Sequence, residues 1–397
     1  MKSLSSVSQP ADSKSKISYF CTALFLFFVI FIGSAVIIPD YKEKLSRWRI
    51  VDSFQSIKFN SCKNRCKPPG TEQLPYGIVS QKSNLQMRPL WGFPKGIENS
   101  SISLLAVSAG IKQRYLVNKM VGKFLSSNFS VMLFHYDGIV DEWNEFEWSD
   151  RVIHVSARNQ TKWWFAKRFL HPDILADFNY IFLWDEDLGV ENFDPQQYLS
   201  IVKNEALEIS QPALDTHESE IHQQLTARVR KSVLHRRTYK PGVCDGESTD
   251  PPCTGWVEMM APVFSRTAWR CVWYMIQGDL IHAWGLDYQL GYCVQGDRTL
   301  KIGVVDAEYI VHYGRPTLGG VDENKGTPSA DDLTHKTENK SDAATMIPSN
   351  LHKLDPRLEV RRQSLRDLKI FQRRWKKAVE EDVCWIDPYK KAAKQSN

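Results

Sequence analysis

Apolar and polar positions change period in blocks along this chain. The run SISLLAV from Ser101 reads as a strand and ends in Ser108-Ala109-Gly110. Leu116, Val117, Met120, Val121 and Phe124 then recur at helical spacing. SVMLFHY (Ser130–Tyr136) and RVIHVS (Arg151–Ser156) read as strands, TKWWFAKRFL as a short helix, and YIFLW (Tyr180–Trp184) as a fourth strand. Further on, WVEMMAPVF (Trp256–Phe264) reads as a strand. Ser265 is placed to cap a helix whose face carries Ala268, Trp269, Val272, Trp273 and Ile276. KIGVVDAEYIVHYG closes the compact part. Strands alternating with helices predict an α/β fold with a mainly parallel sheet.

The flanks read differently. Ile17 to Ile38 carries no charge and is long enough to span a bilayer, longer than the apolar run of a cleaved signal. It predicts a retained transmembrane anchor. The division that follows is a cytosolic tail at 1–16, the anchor at 17–38, a stem at 39–97 and a compact domain at 98–320. A polar, mobile segment at 321–349 and a basic C-terminal helix at 350–397 complete it. Leu365, Leu368, Phe371, Trp375 and Val379 form an apolar stripe on that helix. The stripe suits packing on the domain, and the basic face suits solvent or an anionic membrane.

Composition adds a compartment. All but Cys21 of the eight cysteines follow the anchor, and Cys62/Cys66 and Cys244/Cys253 sit in Pro/Gly-rich loops, as local disulfides would. Sequons stand at Asn99, Asn128, Asn159 and Asn339. These features predict a single-pass type II protein of the Golgi or endoplasmic reticulum membrane with a lumenal domain. A net charge of +5 gives no argument for nucleic acid.

The chemistry concentrates at one strand end. YIFLW runs directly into Asp185, Glu186 and Asp187. Carboxylates are costly to bury without a counter-charge, and open α/β sheets bind ligands beyond the carboxyl ends of their strands. Asp185 and Asp187, two residues apart, point to one side and offer two hard oxygen donors suited to Mn²⁺ or Mg²⁺. A solvated acidic turn is the plainer alternative. In haloacid-dehalogenase-type phosphatases an Asp-x-Asp follows the first strand, with Thr or Val two residues after the second Asp. Here three strands come first and Gly189 holds that position. The arrangement resembles GT-A-type glycosyltransferases instead.

From about Asn99 to Gly320 the chain also resembles a plant family of unknown function once labelled lysine-ketoglutarate reductase trans-splicing related. The resemblance rests on stretches such as VMLFHYDG, WSDRVIHVSARNQTKWWFAKRFLHPDI, YIFLWDEDLGVENF, HRRTYKPG, HAWGLDYQLGYC and VVDAEYIVHYGRPTLGG. That label implies RNA processing or lysine metabolism. The sequence shows neither an RNA-recognition motif nor a Gly-rich dinucleotide loop.

The GT-A resemblance implies a Rossmann-type mixed sheet flanked by helices, which the expected transmembrane helix at 17–38 would precede. It also implies transfer of a sugar from a nucleotide diphosphate sugar to a glycan or other hydroxyl acceptor. Asp185, Asp187 and His312 would then converge on the metal. Asp287, after the Trp284-Gly285 turn, would take the acceptor's proton, or else serve as a helix N-terminal carboxylate. Trp256 and Glu258 would meet the acceptor. Lys162, Trp164, Lys167 and Arg168 would hold the nucleotide's base or diphosphate, or simply pack, and Asp137 would bind its ribose or uracil. The alternative function is a non-catalytic lumenal scaffold or sugar-binding protein of the same fold.

Overall fold

The computed structural model describes residues 67–79, 102–280, 282–315 and 356–389. The predicted cytosolic tail and anchor, the Cys62–Cys66 pair, Asn99, Asn339 and the predicted mobile segment lie outside these residues. All described residues belong to the second of two compact units, Lys67–Asn397. Among them, no helix is long and apolar enough to cross a membrane.

Nine strands form the sheet: β1 (Ser103–Ala109), β2 (Phe129–His135), β3 (Ile153–Ser156), β4 (Tyr180–Trp184), β5 (Leu188–Gly189), β6 (Ile209–Leu214), β7 (Leu234–His235), β8 (Val263–Ser265) and β9 (Ile302–His312). They lie in the order β3-β2-β1-β4-β8-β6-β9-β5, with β7 also paired to β9. The half from β3 to β4 is parallel, β8 runs antiparallel to both its neighbours, and β6 pairs parallel with β9. The sheet is therefore mixed. Every residue of β1 is buried, as a central strand covered on both faces requires. Leu104, Ala106, Ile181 and Leu183 enter one core, and Leu105, Val107, Phe182 and Trp184 the other.

Helices cover both faces. α1 (Arg114–Leu125) packs Val117, Val121 and Phe124 beneath Phe182 and Trp184. α2 (Lys162–Phe169) is capped by Thr161, whose hydroxyl accepts from the Trp164 amide. α3 (Pro195–Asn204) starts on Asp194, which accepts from the Gln196 and Gln197 amides, with Pro195 as its first residue. α4 (Arg266–Met275) has the predicted Ser265 cap, with the Ala268 amide donating to Oγ at 3.1 Å.

The structure departs from the sequence reading in three places. Of the expected strand Trp256–Phe264 only Val263 and Phe264 enter the ladder, as part of β8 (Val263–Ser265). Pro262 has no N–H to give, and the Met260 and Pro262 carbonyls instead accept from the Asp185 and Leu183 amides. The C-terminal helix α5 (Pro356–Glu381) buries Phe371 of the expected stripe and packs Trp375 on the core, but its buried face also takes in Ser364, Asp367 and Ala378, and Leu365 stays 43% exposed. Lys67–Val79, expected in the stem, belongs to the folded unit. Leu74 and Ile78 are buried, the Tyr76 amide donates to Asp382, and the Trp385 indole donates to the Gln73 carbonyl.

The expected Cys244–Cys253 disulfide is present. A second, Cys271–Cys293, ties α4 to the 3-10 helix Asp287–Cys293. Cys384 is also disulfide-bonded.

Candidate functional site at the sheet's switch point

β1 is followed by β2 on one side, while β4 pairs with its other edge. The strand order reverses there, and in such sheets the ligand crevice lies beyond the carboxyl ends of the strands, here β1 and β4. The acidic triplet ends β4 at that place. Its middle residue, Glu186, is turned into the protein. Glu186 accepts from the Gly110 amide at 2.5 Å and from the Tyr136 hydroxyl at 2.5 Å, and burial pushes its carboxyl up to about 8. Gly110 is required at this contact, because a Cβ there would stand 2.3 Å from the Tyr136 hydroxyl. Asp137, from the end of β2, fastens the next turn by accepting from the Ile111 and Ile139 amides.

Asp185 and Asp187 point the other way. The Asp185 side chain is 39% exposed and pairs with Lys162 at 2.7 Å. Lys162 also donates to the Met259 carbonyl at 2.6 Å, so α2 reaches the end of β4 through one ammonium. Asp187 is buried, and burial raises its carboxyl above the usual range while His312 draws it back. The antiparallel pairing of β5 with β9 sets Leu188 opposite His312 and so carries the imidazole to Asp187. His312 Nε2 stands 3.7 Å from Asp187 Oδ2. Its Nδ1 lies 3.0 Å from the Glu220 carbonyl. A carbonyl can only accept, so Nδ1 carries the proton of that bond, leaving Nε2 toward the carboxylate. Metal-binding histidines are oriented in this way.

Asp187 and His312 therefore come together as expected, and Asp185 does not join them. Among the described residues, no three acids, histidines or cysteines are grouped to hold a metal ion as they stand. The physical reason is the Lys162 ammonium, which draws the Asp185 carboxylate aside. The donor set nevertheless fits a hard divalent cation: two carboxylates two residues apart, one of them buried, and an imidazole whose second nitrogen is anchored.

The two downstream carboxylates differ in their surroundings. Asp287 Oδ2 accepts from the Trp256 indole at 3.1 Å and Oδ1 from the Gly285 amide at 3.1 Å. Burial pushes its carboxyl up to about 6. Gly285 has φ +96°, and a Cβ on it would meet Leu368 of α5 at 2.7 Å. Glu258 is held by its backbone, whose amide donates to Gln211 of β6 at 2.6 Å. Its Oε2 is buried without a hydrogen-bond partner. Burial pushes this carboxyl up to about 7; His312 pulls it down, and Asp287 and Asp185 push it up. Beside Tyr288 lies a cleft of about 430 Å³, lined by Asp250, Gln289, Tyr292, Arg298 and Tyr389 among others.

The basic aromatic helix is divided in its roles. Of its residues, Lys162 alone among those named above pairs with the acidic motif. Lys167 is buried and donates to the Trp273 carbonyl, and Arg168 stacks on Trp164, which packs on the core. Two residues the sequence reading passed over also belong to the crevice. The Arg315 amide donates to Asp187 Oδ2 at 2.8 Å, and its guanidinium reaches Gln113, just after β1, at 3.4 Å. The sequence signal for Arg315 was its place three residues after His312.

Residues 65–381 match the family model described as a protein of unknown function, DUF707, and the chain belongs to that family. No curated protein matches the sequence. Among solved structures, TarS 1-349 of S. aureus is similar at 8% identity and a TM-score of 0.36, covering 53% of this chain and 59% of its own. The glycosyltransferase GlyE of Streptococcus pneumoniae TIGR4 is similar at 12% identity and a TM-score of 0.27, covering 70% of this chain and 64% of its own. The chain thus spans about three fifths of the length of each.

Proposed function

We propose that this member of the DUF707 family is a GT-A-like glycosyltransferase. In this reading it moves a sugar from a nucleotide diphosphate sugar to a hydroxyl of a glycan or other acceptor. An N-terminal anchor would hold the domain in the lumen of the Golgi or endoplasmic reticulum. The observation that carries the reading is the pairing of Asp187 with an oriented His312 at the switch-point crevice. Asp185 lies two residues before Asp187 on the same side.

Asp185, Asp187 and His312 would hold Mn²⁺ or Mg²⁺, with Asp185 exchanging Lys162 for the cation. When bound, such a cation stabilises the charge that collects on the departing diphosphate. The Arg315 guanidinium supplies a further positive group at the crevice, and Asp137 holds the turn that forms its near wall. The acceptor hydroxyl must lose a proton as it attacks, and a carboxylate beside it is the usual recipient. Asp287 and Glu258 are the two available.

Calorimetric titration of uridine diphosphate, with and without Mn²⁺, tests the reading. The parent should bind far more tightly with Mn²⁺, and Asp187→Asn should lose that difference while keeping its thermal midpoint. Equal binding by both proteins would sink the metal site. The Lys162–Asp185 ion pair favours one second reading, a non-catalytic lumenal scaffold or sugar-binding protein in which the ammonium takes the cation's place. Sugar binding indifferent to Mn²⁺ and unaccompanied by donor turnover would select it. Protease protection in sealed microsomes tests the topology. Digestion of the domain in intact vesicles would exclude the lumen.

A further inference from the structure

We infer that the cleft beside Tyr288 is a carbohydrate-binding site that takes a short, uncharged sugar segment and shares no residue with the acidic motif. The inference goes beyond the glycosyltransferase reading and stands without it.

The cleft is built from separate parts of the chain that only the fold brings together. Tyr288 and Gln289 lie in the first turn of the 3-10 helix, Arg298 starts the short helix Arg298–Lys301, and Asp387 and Tyr389 follow α5. None of Asp185, Asp187, Glu258, Asp287 and His312 lines it. Asp387 and Tyr389 also lie past residue 381, where the family match ends. The volume of about 430 Å³ falls within the range of small-molecule sites, roughly 300–1,000 Å³.

Arg298 distinguishes a built site from a surface gap. Its side chain is only 5% exposed. Its stem passes between two glycines: a Cβ on Gly255 would stand 2.9 Å from its Cγ, and one on Gly291 2.7 Å from its Cδ. The guanidinium carbon lies 4.2 Å from the centre of the Tyr389 ring. Nη2 donates to the Thr249 carbonyl at 3.2 Å and to the Asp250 carboxylate. Among the described residues, Nη1 and Nε have no hydrogen-bond partner. The Asp250 side chain is 76% exposed, so solvent weakens its hold on the guanidinium. A buried cation held in this way is costly, and a ligand that accepts from its open N–H groups would offset that cost.

The other lining groups select the ligand. The Tyr288 ring is 38% exposed and lies 6.4 Å from the buried Trp256 ring, offering a flat apolar face. Its hydroxyl and the Gln289 side-chain amide make no hydrogen bond among the described residues. Asp387 Oδ1 accepts from the Tyr292 hydroxyl at 3.1 Å and the Tyr389 amide at 2.9 Å. Two carboxylates, Asp250 and Asp387, against one guanidinium leave the cleft with excess negative charge, which disfavours phosphates and sugar acids. Open donors and acceptors beside an aromatic face fit the hydroxyls and C–H faces of a neutral sugar ring.

The test uses the full-length chain in a detergent without a sugar head group, with neither Mn²⁺ nor nucleotide present. Saturation-transfer NMR with cellobiose, maltose, lactose and xylobiose reports contact, and titration gives the affinity. The parent should contact at least one of these disaccharides. Tyr288→Ala, a change at an exposed ring, should keep its thermal midpoint and weaken that sugar by about tenfold or more. Arg298→Gln should weaken it likewise. Asp187→Asn should bind the sugar as the parent does, and uridine diphosphate with Mn²⁺ should not displace it. No contact with any of these sugars would overturn the assignment, as would an affinity of Tyr288→Ala within about threefold of the parent. Displacement by uridine diphosphate with Mn²⁺, or a preference for galacturonic acid or inorganic phosphate, would overturn it equally. A parent that binds uridine diphosphate with Mn²⁺ and no sugar would sink this site and leave the glycosyltransferase reading in place, so the two fail separately.

Discussion

Lys167 allows the packing account to be tested apart from any catalysis. Its ammonium is buried between α2 and α4, 2.8 Å from the Trp273 carbonyl and 3.6 Å above the Trp273 ring. That carbonyl belongs to the last turn of α4, where backbone oxygens lack helical partners. Two indoles return the favour, Trp273 donating to the Lys167 carbonyl and Trp269 to that of Leu170. Burial pulls the ammonium from its ordinary 10.5 down to about 7. The unfolded chain restores the ordinary value, so between these limits it binds more protons than the folded protein. Stability must then rise with pH through this window. At 1.36 kcal/mol per unit the whole effect is about 5 kcal/mol, with about 3 kcal/mol of it gained between roughly pH 7 and 9.5. The cation–π contact favours the charged form and trims that rise to about 2–3 kcal/mol. Lys167→Met keeps a flexible apolar stem and removes the titration. At neutral pH the relief of a buried charge is offset by an orphaned Trp273 carbonyl, itself worth about 1–3 kcal/mol. Urea denaturation of both proteins across this range, disulfides intact, measures the difference. Curves that stay parallel would refute the argument. Weaker uridine diphosphate binding by Lys167→Met would return Lys167 to the nucleotide.

Two further outcomes follow from the packing around Asp287. Replacing Cys271 and Cys293 by Ser should lower stability by about 3 kcal/mol in chemical denaturation, and should cut turnover by loosening the 3-10 helix that begins at Asp287. Asp367 of α5 is buried and accepts from the His282 amide at 3.2 Å. Asp367→Ala should therefore cost about 1–3 kcal/mol and make α5 more sensitive to limited proteolysis. An unchanged digestion pattern would show that α5 is held by its apolar contacts alone.

The central sheet was legible because β1, β2 and β4 are buried on both faces and read as continuous apolar runs. The acids at the end of β4 were legible for the same reason, as an abrupt change of polarity. β6 was not, because Gln211 and Pro212 interrupt its pattern, although all its residues are buried. The Gln211 side chain serves Glu258, a contact that only the fold can reveal. The pairing of Asp187 with His312 depends on the two-residue strand β5, too short to carry a period. The diversion of Asp185 to Lys162 was invisible for a different reason: ion-pair partners contributed by separate elements leave no spacing in the sequence. The C-terminal stripe was read only in part, Phe371 and Trp375 facing the core as expected, because Ser364 and Asp367 are polar residues on the buried face of α5.

The contact between Gly285 and α5 has a consequence for the order of events during synthesis. The turn that leads to Asp287 is closed on its outer side by Leu368 and Phe371, which leave the ribosome some eighty residues later. The parallel half of the sheet, from β1 to β4, lies within residues 103–184 and can pair early. The Asp287 turn cannot reach its final shape until α5 has been made and has docked. A nascent chain stalled before α5 would thus carry the acidic motif with its Asp187 and the sheet beneath it, yet lack a finished turn at Asp287. The turn would be completed only with the last few turns of helix.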